Sequence, residues 1–305
     1  MQKRIAIFFS LIFGLLASAK AQEFNVFSQY MFNGLIINPA YAGSHEALSI
    51  SAFHRSDFQG IEGAPQTQIF SIHSPVKSNR IGLGMNIIRD KAGITDQLGA
   101  QIQYAYKIPV GKGNLSFGLQ GGFINYKSSL NILDIKDPDD LVLNSDINGL
   151  LPSFGAGIYL SGPKAYLGFS APQLLNYTIE QQNTGNRVER DFRYYFTTAG
   201  VVISMGEHLK LKPNTLVRYK DGEDIRFDLN ANLLIDEVVW IGASYKSINT
   251  MAVILDLQLT NQLRAGYAYD FGLPQSVFLQ VSSHEFALNY LFSVKSRKVV
   301  SPRYF

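Results

Sequence analysis

Over most of the chain, apolar residues recur at every second position rather than every third or fourth. Leu98, Ala100, Ile102, Tyr104 and Tyr106 alternate with Gln97, Gly99, Gln101, Gln103 and Ala105. Phe227, Leu229, Ala231 and Leu233 alternate with Asp228, Asn230 and Asn232, and Leu263, Ala265, Tyr267 and Tyr269 with Arg264, Gly266, Ala268 and Asp270. A period of two places the two sets on opposite faces of a strand. The pattern predicts strands near 48–57, 66–74, 81–89, 97–108, 115–126, 153–161, 165–171, 193–204, 208–219, 226–235, 239–247, 251–259, 262–271 and 284–292. These are fourteen segments of about ten residues, an even number as in single-chain bacterial membrane barrels.

Alternation alone also describes a soluble sandwich, so the direction of each face matters. One face collects Gly82, Gly84, Gly99, Gly155, Gly157, Gly168, Gly242 and Gly266 beside amides and charges, which suits a crowded or wet lumen. The charged members of that face are Lys210, Lys212, Asp228, Lys246, Asp256, Arg264, Asp270 and Glu285, which have no place in lipid unless paired or hydrated. The other face is Leu, Ile, Val and Phe. Tyr104, Tyr106, Tyr194, Tyr219, Trp240, Tyr245, Tyr269, Phe271, Tyr290 and Phe292 are candidates for interfacial girdles. The expected architecture is all-β, a fourteen-stranded antiparallel transmembrane barrel of the bacterial outer membrane.

Loop lengths sort with this assignment. The even-numbered connections, Pro75–Arg80, Pro109–Gly113, Gly162–Lys164, Met205–Glu207, Asp236–Val238 and Thr260–Asn261, are all short. The long ones, Lys127–Pro152, Pro172–Phe192 and Gly272–Ser283, are all odd. Barrels carry short turns on the periplasmic side and long loops outside, so both termini are expected in the periplasm.

The ends of the chain add an address. Met1–Arg4 is basic, Ile5–Ala17 is apolar, and Ala19-Lys20-Ala21 offers small residues for cleavage before Gln22, so 1–21 reads as a signal peptide. Its removal takes three of the 27 basic residues and none of the 24 acidic ones, leaving a balanced chain that argues against a nucleic-acid partner. The absence of cysteine excludes a disulfide framework and thiolate-bound metal. No linker-like stretch divides the rest. The expected organisation is an N-terminal periplasmic or plug segment at 22–46, one barrel at 47–292, and a basic tail at 293–305 holding Lys295, Arg297, Lys298 and Arg303. The tail is either solvated or a handle for a partner or lipid headgroups.

Motifs for chemistry fail on spacing. His45-Glu46 and His284-Glu285 have Ser49 and Leu288 where a metalloprotease needs its second histidine. Gly242-Ala-Ser244-Tyr-Lys246 lacks the closing glycine of a nucleophile elbow, and Gly82-Leu-Gly84 and Gly155-Ala-Gly157 lack the third glycine of a dinucleotide loop. Asp134, Asp137, Asp139, Asp140 and Asp146 supply carboxylates for calcium but no EF-hand register. His54, His73, His208 and His284 are the available bases, and nothing in the sequence pairs them with a nucleophile. The expectation is a protein that is not an enzyme and uses no cofactor.

Phe27-Ser28-Gln29-Tyr30-Met31-Phe32-Asn33, followed by Asn38-Pro39-Ala40-Tyr41-Ala42-Gly43, resembles the opening signature of the PorP/SprF family, membrane proteins of the type IX secretion system in Bacteroidetes. The resemblance continues through Arg55, Gly63-Ala64-Pro65-Gln66-Thr67, Ser71-Ile72-His73-Ser74-Pro75 and Gly82-Leu83-Gly84. It closes on Tyr267-Ala-Tyr269-Asp270-Phe271 and Ser283-His284-Glu285-Phe286-Ala-Leu288-Asn-Tyr290-Leu-Phe292. Asp57-Phe58 departs from the family's Gln-Trp, which alters one loop-side contact. The resemblance implies an outer-membrane barrel that retains a secreted gliding adhesin bearing a type B C-terminal domain. It also implies periplasmic partners, a lipoprotein ring and a peptidoglycan-binding protein. Tyr30, Met31, Phe32, Asn33, Asn38, Pro39, Ala40, Tyr41 and Gly43 form the candidate partner-binding or plug segment. A passive porin is the alternative reading, and an outer-membrane hydrolase is a third class.

Overall fold

Period-two patterning closes into a single ring. The structure, a computed structural model, describes residues 27–45, 47–76, 79–130, 146–180, 187–273 and 282–292. Its strands are β1 (Leu48–Asp57), β2 (Gln66–Val76), β3 (Ile81–Ala92), β4 (Thr95–Val110), β5 (Gly113–Ser128), β6 (Ile147–Ser161) and β7 (Ala165–Ala171). There follow β8 (Asn176–Glu180), β9 (Arg187–Asp191), β10 (Tyr195–Val201), β11 (Ile203–Ser204), β12 (Leu209–Tyr219) and β13 (Arg226–Ile235). The last are β14 (Val239–Lys246), β15 (Thr250–Gln258), β16 (Leu263–Gly272) and β17 (Ser282–Phe292).

Each wall strand pairs antiparallel with its neighbours, β10 bonds both β7 and β12, and β1 bonds β17 from Leu48↔Phe292 to Asp57↔Ser283, which seals the ring. β10 and β11 are one wall strand interrupted at Val202, and β8 and β9 form a separate hairpin. The barrel is therefore fourteen-stranded, as the alternation predicts. Closure leaves no open sheet edge around the wall, the condition for backbone polar groups in hydrocarbon. No helix among the described residues is long and apolar enough to cross a membrane; the crossing elements are strands.

The faces point as expected. Ile102, Leu119 and Phe286 are 66%, 64% and 55% exposed on the outside, whereas Gln103, Asn232 and Glu285 are fully buried within. Two girdle assignments are corrected. Trp240 is buried inward because it shares parity with Gly242, Ser244 and Lys246. Tyr194 shares parity with the buried Phe196 and turns in beside it, 6.2 Å away, under Lys220.

Three strand bounds beside prolines differ from the alternation-derived ones. β2 runs through Pro75, β4 through Pro109, and β6 starts at Ile147 and passes through Pro152. Proline lacks the N–H that a second neighbour needs. Here the second neighbour is already gone: β1 leaves β2 at His73, β3 leaves β4 at Tyr106, and β7 leaves β6 at Ala156. Pro213 in β12 lies opposite the break at Val202. Among the described residues, every proline within a strand sits where one side of the ladder is open.

The strand ends joined by the connections 77–80, 111–112, 162–164, 205–208, 236–238 and 259–262, all short, share one mouth of the barrel; those joined by 58–65, 93–94, 129–146, 172–194, 220–225, 247–249 and 273–281, which include every long one, share the other. These are called the turn mouth and the loop mouth below. The β8–β9 hairpin falls in the long connection after β7 and was not expected from sequence. It buries Tyr177 and Ile179 against Ile124, Tyr126, Ile147 and Leu151, inward residues of the long strands β5 and β6. Residues 1–21, expected to be a signal peptide, most of the acidic loop (Asp134, Asp137, Asp139, Asp140) and the expected tail 293–305 lie outside the described residues.

Candidate functional site

Residues 27–45 form three short 3-10 turns, Tyr30–Phe32, Gly34–Ile36 and Pro39–Tyr41. Asn38 opens the third: its side-chain oxygen accepts the Ala40 N–H at 2.9 Å, and Pro39 occupies the first turn, where its missing N–H costs nothing. This short, apolar and nearly uncharged stretch contacts walls on all sides of the ring. A segment that touches opposite walls of a closed barrel lies in the lumen.

Near the loop mouth, the Ser28 N–H and Oγ–H donate to Glu285 and Asp270, each at 2.7 Å, and the Gln29 N–H donates to Glu285 at 3.3 Å. Arg55 contacts both carboxylates and Asp57, with 2.9 Å to Asp270 and 2.8 Å to Asp57, and Lys246 reaches Asp270 at 2.7 Å. All five side chains are buried. Buried charge is tolerated only when paired and hydrogen-bonded, and here backbone and hydroxyl donors of the segment complete the pairing.

Midway, Tyr30 donates to Asn214 and accepts from Asn230, both at 3.0 Å, and Lys212 donates to the Met31 carbonyl at 3.3 Å. Phe32 meets Trp240 edge-on at 5.8 Å, with Lys212 and the Arg264 guanidinium 5.5 and 4.3 Å from its ring centre. Such cation–π contacts gain strength when desolvated. On the far wall Asn86 donates to Leu35 O, Ser170 to Ile37 O, and Asn38 to Ile158 O and Phe169 O. A small cavity beside these contacts is lined by Tyr30, Met31 and Asn38 of the segment and by Tyr159 and Thr198 of the wall.

At the turn mouth Tyr41 packs between His73 and Tyr159, with ring centres 5.6 and 5.5 Å away. The Gly43 N–H donates to His73 Nδ1 at 3.1 Å, which fixes that nitrogen as an acceptor, and Lys107 donates to the Gly43 carbonyl. Gly43 adopts a left-handed φ of 66° with Gly82 Cα 2.7 Å from where a Cβ would stand. A side chain on Gly82 would collide with the Ala42 carbonyl, and one on Gly118 with the backbone of Pro39 and Ala40. Gly157 and Gly266 make the same room for Asn38 and Gln29. Other inward glycines serve neighbours: Gly242 admits Asn232, and Gly155 admits Pro172.

Every residue of the sequence-derived segment, Tyr30, Met31, Phe32, Asn33, Asn38, Pro39, Ala40, Tyr41 and Gly43, is thus brought onto this inner surface and buried. Sequence reasoning placed Lys212, Asn230, Lys246, Arg264, Asp270 and Glu285 on the inner face but not against this segment, and it missed the inward Arg55 with Asp57, Lys107 and Asn214 that stand beside them. The parity of Arg55 and Asp57 with Ser49, Ser51 and Phe53 places them inward. The four histidines weighed as bases are dispersed. His73 faces the lumen, His54 and His284 lie on the outward parity of β1 and β17, and exposed His208 is 2.6 Å from Asp236 at the turn mouth.

The comparisons with known proteins agree with this architecture. A family model described as type IX secretion system membrane protein PorP/SprF matches residues 19–290. No curated protein matches. Among solved structures, the chain is similar to the CymD monoaromatic hydrocarbon channel, with a TM-score of 0.51, 12% identity, and coverage of 88% of this chain and 94% of that one. It is also similar to the outer membrane protein Omp33 of Acinetobacter baumannii, with a TM-score of 0.49, 7% identity, and coverage of 81% and 98%. At such identities the likeness to CymD speaks for the barrel fold alone.

Proposed function

The chain belongs to the PorP/SprF family of type IX secretion system membrane proteins, and from that premise we propose that it holds a secreted adhesin at the cell surface and links it to the periplasmic machinery. A closed barrel in such a family belongs in the outer membrane, the bilayer that strand barrels span. One observation supports binding over transit: the lumen is filled along its length by the chain's own residues 27–45, hydrogen-bonded to both walls. A lumen so occupied leaves the two mouths as the working surfaces. The loop mouth, with its β8–β9 hairpin, is the side offered to an adhesin carrying a type B C-terminal domain. The turn mouth is the side offered to a lipoprotein ring and a peptidoglycan-binding protein.

The test is retention. Cells lacking the chain should shed the adhesin into the medium, and the intact chain should restore it to the surface and copurify with it. Unchanged retention without the chain refutes the anchoring role. Steady conductance of the purified intact protein in planar bilayers would favour the porin reading instead.

A further inference from the structure

The rim of the turn mouth is unevenly charged. On the β2–β7 side it is built from three consecutive turns, 77–80, 111–112 and 162–164. Each presents one exposed basic side chain among the described residues: Arg80, Lys112 and Lys164. The turns are neighbours in space as well. The Lys107 N–H donates to the Arg80 carbonyl, and Gly113 stands so close to Ser161 and Gly162 that a Cβ has no room. No acid answers these cations. The sequence has none between Glu62 and Asp90, between Asp96 and Asp134, or between Asp146 and Glu180, and Asp90 and Asp96 stand at the loop-mouth ends of β3 and β4. Among the described residues none of the three forms an ion pair. Across the barrel, turns 205–208 and 236–238 carry Glu207, Asp236 and Glu237, with His208 and Lys210 already paired to Asp236 and Glu237, and 259–262 is uncharged.

We propose that this basic arc binds the phosphate headgroups of anionic phospholipids in the leaflet beside the turn mouth. Height selects the ligand. The outward apolar face runs up to each turn: exposed Val76 ends β2, half-exposed Val110 ends β4, and exposed Leu160 stands four residues before Lys164. Turns of two to four residues keep their charges at the bilayer surface, and the long stems of Lys and Arg lie on apolar surface while their heads stay among polar groups. Spacing points the same way. Neighbouring turns on one mouth are two strands apart, roughly 12 Å at ordinary strand tilt, so the arc is about 25 Å long. A single small anion does not bridge that distance; a row of headgroups does. The acidic and uncharged turns opposite offer the same headgroups nothing, so anionic lipid gathers on one side of the barrel. This goes beyond the anchoring reading and does not rest on it.

The single tryptophan, Trp240, is buried in the lumen, so a tryptophan added on the outer surface reports on its lipid neighbours. Val110→Trp, beside Lys112, and Leu259→Trp, at the uncharged turn, are compared in phosphatidylcholine vesicles. The quencher is either brominated phosphatidylglycerol or brominated phosphatidylcholine. The expected result is about a fivefold preference for the anionic quencher at Val110→Trp, the effect of one cation close to an anionic surface, and no preference at Leu259→Trp. Adding Arg80→Gln, Lys112→Gln and Lys164→Gln together should abolish the preference. If that triple variant does not fold, judged by heat-modifiable gel mobility, Lys112→Gln alone in the Val110→Trp protein makes the comparison. Equal quenching by the two lipids at Val110→Trp overturns the proposal and leaves the arc to an acidic protein surface. A preference that survives the substitutions, or is as large at Leu259→Trp, overturns it too. Symmetric vesicles make the outcome independent of which way the barrel inserts, and no adhesin is involved, so failure here leaves the anchoring role untouched.

Discussion

Gly82 and Gly118 show how a missing side chain becomes a structural requirement. At each, an added Cβ would meet backbone atoms of the segment, which have no rotamer to move away with. Gly82→Ala and Gly118→Ala should therefore unseat residues 39–43 and make the segment sensitive to protease in detergent. Gly99→Ala, whose nearest neighbour would be 3.7 Å away, should leave it protected. Arg55 carries the opposite kind of constraint. Replacing it by Met removes the guanidinium that Asp57, Asp270 and Glu285 share, and breaking such a buried pairing costs about 3–5 kcal/mol. The expected outcome is a clearly lower urea midpoint for Arg55→Met in detergent, read from the loss of the folded gel band; an unchanged midpoint would mean the cluster is not paired in solution. Both constraints are half visible in sequence. Parity puts Gly82 and Arg55 inside, but not what they face.

The segment and the wall are separable as elements. The ladder of β1 with β17 runs unbroken without any residue of 27–45, so the ring does not depend on the segment for closure. Deleting 22–46 should thus leave a folded barrel, recognised by its heat-modifiable mobility, that conducts steadily in planar bilayers where the intact protein is closed. Persistent closure would show that another element blocks the lumen. Strand boundaries teach a related lesson. The alternation ended strands at 74 and 108 and began one at 153, each beside a proline, yet β2, β4 and β6 pass through Pro75, Pro109 and Pro152. Sequence shows the missing donor; whether a partner strand stands there to need it depends on where that strand stops.

For the whole molecule, the outward apolar band is the feature on which residence in a membrane depends. Ile102, in the middle of β4, and Ile61, in the 58–65 connection, are 66% and 61% exposed. Identical substitutions should nonetheless part company. Ile102→Arg places a charge in hydrocarbon and should cost about 2–4 kcal/mol near the midplane, whereas Ile61→Arg, in water at the loop mouth, should stay within about 0.5 kcal/mol. Unfolding titrations in lipid vesicles measure the difference, and equal costs would argue that the band does not face lipid.

Alternation, glycine placement and the sorting of loop lengths determined from sequence alone that this chain forms a fourteen-stranded barrel with an aromatic, proline-fixed segment before it. Those properties are local: strand parity needs only the next few residues, and a closed ring follows from the need to satisfy every backbone donor. What the segment does was decided only by the folded molecule. Trp240 meeting Phe32, Gly118 admitting Ala40, and Glu285 accepting from Ser28 join residues 78 to 257 positions apart. Such pairings arise when a closed wall brings distant strands to one axis, and no short stretch of sequence encodes that meeting.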